Sequence, residues 1–145
     1  MYVEKQAFLS VRPVGILYFC ANILTMFKPT LVLGASTNPE RFSNRAVRRL
    51  KKLDIPVFAV GLREVEVEGV VIRRPFPVYF NIHTVTMYVG AKNQPIYYDY
   101  ILYLHPKRVI FNPGAENDEF EQMLEERGIE TVRACTLILL SIGEY

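Results

Sequence analysis

From Thr30 onward, short apolar runs rich in β-branched residues alternate with stretches whose apolar positions recur at helical spacing. This alternation predicts βαβ units and a mainly parallel sheet. Leu31-Val32-Leu33 reads as the first strand. Ser43 to Leu53 reads as a helix, because Ala46, Val47, Leu50 and Leu53 fall on one face. Pro56 to Val60 is a short continuous apolar strand, the pattern expected where both sheet faces are covered. Gly69 to Ile72 gives a weaker third strand, and Thr84 to Val89 a fourth that stops at Gly90. Pro95 at a first helical position opens a helix to about Leu104, which His105-Pro106 ends. Arg108 to Phe111 is the fifth strand. Asn117 caps a helix that runs to Arg127, with Phe120, Met123 and Leu124 on its core face and Gly128 as the left-handed stop. Glu130 to Val132 is a last short strand, and the apolar closing segment Thr136 to Ser141 fits a strand or a helix. Right-handed crossovers turn this order into an α/β fold, a Rossmann-like, doubly wound, mainly parallel sheet of about five to six strands with helices on both faces.

In such a sheet a ligand sits outside the carboxyl ends of the strands, where the strand order reverses. Four segments share that rim: Gly34 to Asn38, Gly61 to Arg63, Gly90 to Asn93, and Asn112 to Gly114. Each carries a glycine where a strand stops, and small residues there let a ligand approach the backbone. Gly34-Ala35-Ser36 directly follows the first strand and precedes a helix. Backbone N–H groups at this turn, the unpaired donors of the helix start and its positive dipole end suit a diphosphate. Ser36 and Thr37 add hydroxyls, Asn38-Pro39 begins a turn, and Ser43 is placed to cap the helix. Arg41 and Arg45 flank the helix start, where a guanidinium can grip a phosphate, and Arg63 follows the second strand at the height of a ribose phosphate. Arg48, Arg49 and Lys52 read instead as a solvated helix face.

Length and composition add limits. The chain has 145 residues, half of them hydrophobic and 22% charged, which fits one ordinary globular domain. A net charge of +2 gives no footprint for nucleic acid. Cys20 and Cys135 stand far apart in no metal or disulfide spacing, so a reducing, cytoplasmic location is expected. Val14 to Phe27 is an apolar run of 14 residues, shorter than the ~20 that span a bilayer, so no membrane partner is expected. Residues 1–27 stand apart from a domain over 28–145, and Met26 is a candidate start; an extra helix or a targeting signal are the other readings.

Little in the chain suggests chemistry. His83 lies at a strand entrance away from the rim, and His105 ends a helix. Cys135 has no histidine nearby in sequence to activate it. The carboxylates of the Asn117–Arg127 helix suit a helix N-terminus and a solvated face. No full Gly-x-Gly-x-x-Gly fingerprint is present, and no acid ends the second strand to hold a ribose, which argues against NAD. Tyr97, Tyr98, Tyr100 and Tyr103 crowd one helix, either packing on the sheet or forming a self-association face, so a homodimer through residues 95–104 is one expectation.

Leu-Val-Leu-Gly-Ala-Ser-Thr-Asn-Pro-Glu-Arg at 31–41, with Ser43 and Arg45 following, resembles the small stand-alone CoA-binding proteins with a Rossmann-like domain. That family is similar to the CoA-binding domain of the succinyl-CoA synthetase α subunit. Val-Phe-Ala-Val-Gly at 57–61, Tyr-Val-Gly-Ala at 88–91 and Arg-Ala-Cys-Thr-Leu at 133–137 fall in matching order. Members commonly carry Ser-Tyr before the arginine, where this chain has Ser43-Asn44. The resemblance implies coenzyme A or an acyl-CoA as ligand, its diphosphate at Gly34 to Thr37 and its adenosine toward Gly61 to Arg63 and Gly90.

The expected binding set is therefore Gly34, Ala35, Ser36, Thr37, Asn38, Arg41, Arg45, Gly61, Arg63, Tyr88, Gly90, Asn112 and Gly114. The leading expectation is non-catalytic binding of CoA or an acyl-CoA. An NAD(P)-linked oxidoreductase or a small acyl-transfer enzyme is the alternative; at the rim only Tyr88, Lys92 and Asn112 are available to it. A structural or regulatory subunit is the third reading.

Overall fold

The computed structural model describes residues 28–145. The readings of Met26, Cys20 and the apolar run Val14 to Phe27 lie outside the described residues. A seven-stranded sheet runs β3-β4-β2-β1-β5-β6-β7, and every neighbouring pair is parallel except β3 with β4. The strands are β1 (Thr30–Leu33), β2 (Val57–Val60), β3 (Val65–Val67), β4 (Val70–Arg73), β5 (Thr84–Met87), β6 (Arg108–Phe111) and β7 (Glu130–Arg133). The helices are α1 (Phe42–Lys52), α2 (Tyr98–Leu104), α3 (Asp118–Glu125) and α4 (Thr136–Ile142). The expected Rossmann-like α/β fold is present.

Side chains alternate across the sheet. Leu31, Leu33, Val85, Met87, Val109 and Phe111 pack beneath Tyr97, Tyr100 and Ile101 around α2 and Phe120 and Leu124 of α3. On the other face Val32, Ala59 and Ile72 meet Val47 and Leu50 of α1 and Leu140 of α4. Each fully buried Leu or Phe stabilises the fold by about 1.5–3 kcal/mol.

The β1 strand lies between β2 and β5, so the strand order reverses at its carboxyl end. The register is level there. Leu33 pairs with Val60 and Met87, and Met87 with Phe111. Gly34, Gly61, Tyr88 and Asn112 are the next residues on four adjacent strands and emerge at one height.

Two elements differ from the sequence reading, and the structure fills one link that it left unassigned. The weak third strand is half of a hairpin: β3 and β4 are joined by Glu68 and Gly69, both at positive φ (49° and 79°), a two-residue turn that matches strand twist. No helix links β4 to β5. Residues 74–83 instead cover that face with aromatic side chains: Tyr79 lies 4.6 Å from Phe58, and Phe76 contacts Tyr97 and Tyr100 at 5.8 and 5.4 Å between ring centres. The helix expected from Pro95 begins as 3₁₀ turns at Ala91–Asn93 and Pro95–Tyr97, and only Tyr98–Leu104 is α-helical. The closing segment is a helix, α4.

Candidate functional site

Gly34 turns the chain out of β1 at φ 90°, and a side chain there would press on the backbone of Tyr88 (Cβ to carbonyl carbon 3.0 Å). The N–H groups of Gly34 and Ala35 both donate to the Val60 carbonyl at 2.9 Å. These two donors, expected to face a diphosphate, are consumed in locking the turn to β2. The free backbone donors lie further along: the N–H groups of Ser36, Thr37, Phe42 and Ser43 have no acceptor among the described residues.

The start of α1 is open. Its capping position is Arg41, whose side chain makes no capping bond. Ser43, expected as the cap, is the second helical residue and is buried. The buried Asn44 ties the helix to the turn: its Nδ2 donates to the Ser36 carbonyl at 2.8 Å, and its Oδ1 accepts from Arg48 Nε at 2.8 Å. Asn38 closes the intervening loop, its Oδ1 accepting from the Glu40 N–H at 3.0 Å. The helix N-terminus, with its positive dipole end, is thereby aimed into space beside the rim.

That space is a cleft of about 1050 Å³. Gly34, Ala35, Ser36, Thr37, Asn38, Arg41, Gly61, Arg63, Tyr88 and Gly90 all line it. Among the described residues, Arg41, Arg63 and Lys92 bring three cations to the wall, and no Asp or Glu lines it. None of the three is in an ion pair among the described residues. A smaller depression of about 450 Å³ opens near the start of β2, among Ile55, Pro56 and Val57, away from the glycine turns.

Three expected residues stand outside the cleft wall. Arg45 turns to Glu40 (3.6 Å) and lies over the Phe42 ring at 5.5 Å. Asn112 is buried below the rim: its Nδ2 donates to Thr86 Oγ1 at 2.8 Å and the Met87 carbonyl at 2.9 Å, and its Oδ1 accepts from the Thr136 N–H at 2.9 Å. It joins β5, β6 and the start of α4. Gly114, at φ 90°, donates to Glu116 Oε2 at 2.8 Å and has its carbonyl 4.0 Å from where a Cβ on Gly90 would be.

Sequence reasoning missed Gln94. It is fully buried, donating to the Val89 and Ala115 carbonyls at 2.8 and 2.6 Å and accepting from Asn117 Nδ2 at 2.9 Å. It fixes the turn that carries Lys92. Its flanking Pro95 marked a helix start and drew attention from it. Phe42 also lines the cleft, 62% exposed, an expense in water that a helix start does not require.

Tyr88 forms the floor. Its hydroxyl is buried beside Thr86 and Thr136, which bond each other at 2.8 Å, and it reaches no partner in hydrogen-bonding geometry among the described residues. Burial pushes its phenol up to about 12. Burial and the nearby Arg108 lower the pKa of His83, at the opposite end of β5. No group of three or more His, Cys, Asp or Glu among the described residues is placed to hold a metal.

The family model for the CoA binding domain matches residues 28–141. The chain belongs to the CoA binding domain family. A crystal structure of an uncharacterized protein matches this CoA binding domain at TM-score 0.80 and 46% identity, over 82% of this chain and 98% of that one. A hypothetical protein from Pyrococcus horikoshii OT3 matches at TM-score 0.72 and 26% identity, over 81% and 84% of the two chains. A Thermus thermophilus structure shares the fold at TM-score 0.72 and 22% identity, over 88% of this chain and 98% of that one. No curated protein sequence is significantly similar to the chain. Among the described residues no helix is long and apolar enough to cross a membrane.

Proposed function

We propose that this domain binds CoA or an acyl-CoA in the rim cleft and turns nothing over by itself. The observation that carries the reading is the open α1 N-terminus facing a cleft whose described lining has three cations and no carboxylate. A ligand with a diphosphate and a third phosphate matches that charge. In this reading the diphosphate meets the free N–H groups of Ser36, Thr37 and Ser43 with Arg41, and the adenosine lies toward Gly61–Arg63. Asn38, Tyr88 and Gly90 shape the remaining wall, while Asn112 and Gly114 support it from outside. NAD is disfavoured because no acid stands at the end of β2 to hold a ribose diol, and Glu64, further on, is paired with Arg73.

Calorimetry with CoA, dephospho-CoA, NAD and ATP tests the reading. CoA binding tightest of the four is the expected result; binding of NAD with none of CoA overturns it.

Self-association through residues 95–104 is a second reading, now narrower. Tyr97 and Tyr100 are buried, and Tyr98 stacks on Phe120 at 4.2 Å with its hydroxyl bonded to Glu119 and Asn117. Ile96 and Tyr103, 64% and 70% exposed, are what the helix offers a second copy. Gel filtration with and without CoA checks it: a monomer under both conditions removes this reading.

A further inference from the structure

The cleft has two arms. They leave the α1 N-terminus in opposite directions along the rim, because β2 and β5 lie on opposite sides of β1. One arm is Gly61–Arg63. The other runs past Gly90 and Lys92 to Pro95, Ile96 and Pro113. If adenosine occupies the first arm, as proposed above, pantetheine and whatever its thiol carries are led onto the second.

The second arm is walled largely by apolar groups, among them Val89, Pro95 and Ile96, and among the described residues it holds a single amine. Lys92 is exposed and has no carboxylate partner among the described residues. Its backbone is held in place. The Asn93 N–H donates to the Gly90 carbonyl at 2.9 Å, and the next residue, buried Gln94, donates its side-chain amide to the Val89 and Ala115 carbonyls. Tyr97, the other nucleophile on this arm, is buried against Phe76.

We propose that Lys92 is an acylation site, modified by the thioester of an acyl-CoA held in the same cleft. This inference rests on the CoA reading. In the step, Lys92 Nζ gives one ammonium proton to water, its freed lone pair adds to the thioester carbonyl carbon, and the C–S bond breaks. CoA leaves as a thiolate that takes up the second proton released by the nitrogen, and an amide remains on Lys92. The activated thioester drives the transfer, and no oxidant, reductant or further co-reactant enters.

Proximity separates Lys92 from the other lysines. Among the described residues, Lys51 and Lys52 sit in the last turn of α1, while Lys28, bonded to the Tyr145 carbonyl, and Lys107 precede β1 and β6 at the far end of the sheet. Holding amine and thioester in one cleft replaces a bimolecular encounter with a positioned one. The modification also removes a cation from the wall, so the acylated domain binds CoA more weakly. The site would register exposure to acyl-CoA and then release the ligand.

The test is incubation of the full chain with acetyl-CoA and with butyryl-CoA, followed by intact mass and peptide mapping. Lys92 acylated at least about ten-fold faster than Lys51 or Lys52 is the expected result. An excess of free CoA should suppress the adduct, and Lys92→Arg should remove it. CoA binding intact by calorimetry, with Lys92 modified no faster than Lys51 or Lys52, overturns the Lys92 assignment alone. Absence of CoA binding overturns the cleft reading, and the assignment falls with it.

Discussion

A Cβ on Gly61 would lie 2.4 Å from the carbonyl oxygen of Ala35, a separation that no real side chain occupies. The glycine after β2 therefore serves the protein's own backbone: it lets the turn after β1 fold down onto β2. Ile72, 2.9 Å from the same point, closes the other side. Gly90 is a different case. It has φ −64° and only the Gly114 carbonyl at 4.0 Å, so its backbone accepts a side chain without strain.

Gly61→Ala is expected to lower stability by about 1–3 kcal/mol, since backbone cannot give way as a flexible side chain can. Gly90→Ala should stay within about 0.5 kcal/mol of the parent and affect only a ligand seated against it. Urea unfolding of both variants, paired with CoA titration, checks the contrast. Equal stability losses would remove the distinction between a glycine held by packing and one open to the cleft.

Asn112 makes three buried hydrogen bonds that link β5, β6 and α4. In Asn112→Ala the Thr136 N–H loses its acceptor and the Met87 carbonyl a donor, in a place water does not reach. The expected loss is roughly 2–3 kcal/mol, and denaturant unfolding measures it. CoA affinity, compared where both proteins are folded, should change much less.

The strands were legible where turn chemistry bounded an apolar run. Arg108–Phe111, set between Pro106 and Asn112-Pro113-Gly114, was read residue for residue. β3 was missed because it is three residues long and two of its side chains are exposed, leaving no periodic signal. The helix-free link from β4 to β5 was hidden for a related reason. Phe76 packs on Tyr97 and Tyr100 and Tyr79 on Phe58, while Phe80 is exposed, so no regular apolar period marks the segment.

At the site, the rim was legible because level register brings consecutive strand ends together, and glycine marks each end. Donor accounting was not. Nothing in Gly34-Ala35 reveals that both N–H groups face the Val60 carbonyl, a contact between segments far apart in the chain. Arg45 shows the same limit. Sequence spacing placed it at the helix start, whereas its direction was set by Glu40 and Phe42.

Tyr88 makes stability depend on pH in the alkaline range. Its phenol titrates near the usual 10 in the unfolded chain and at about 12 when buried in the fold. Between these values the unfolded chain gives up a proton that the folded one keeps. Stability is thus fully present below pH 10 and falls as pH rises through 12, by roughly 2–3 kcal/mol in all. Tyr100 and Tyr145, also raised by burial, act in the same direction. Urea unfolding at pH 9 and again near pH 11 reads the slope. Tyr88→Phe should make it shallower, with Tyr100 and Tyr145 keeping the rest, and leave stability at neutral pH unchanged or higher, because the hydroxyl has no partner among the described residues to lose.

Arg41 and Arg45 separate the proposed binding geometry from a mere count of charges. Both flank the start of α1, and each removal changes the net charge equally. Arg41 lines the cleft without a carboxylate partner among the described residues, whereas Arg45 is paired with Glu40 and lies over Phe42. A charge-assisted bond from Arg41 to a phosphate is worth about 1.5–3 kcal/mol, so Arg41→Ala should weaken CoA binding by roughly ten-fold or more. Arg45→Ala should weaken it by less than about three-fold, through long-range attraction that salt screens. Titrations of both variants at low and high salt distinguish the two effects. A loss for Arg45→Ala as large as for Arg41→Ala, and persisting at high salt, would place the phosphate on the outer side of α1 and not in the cleft.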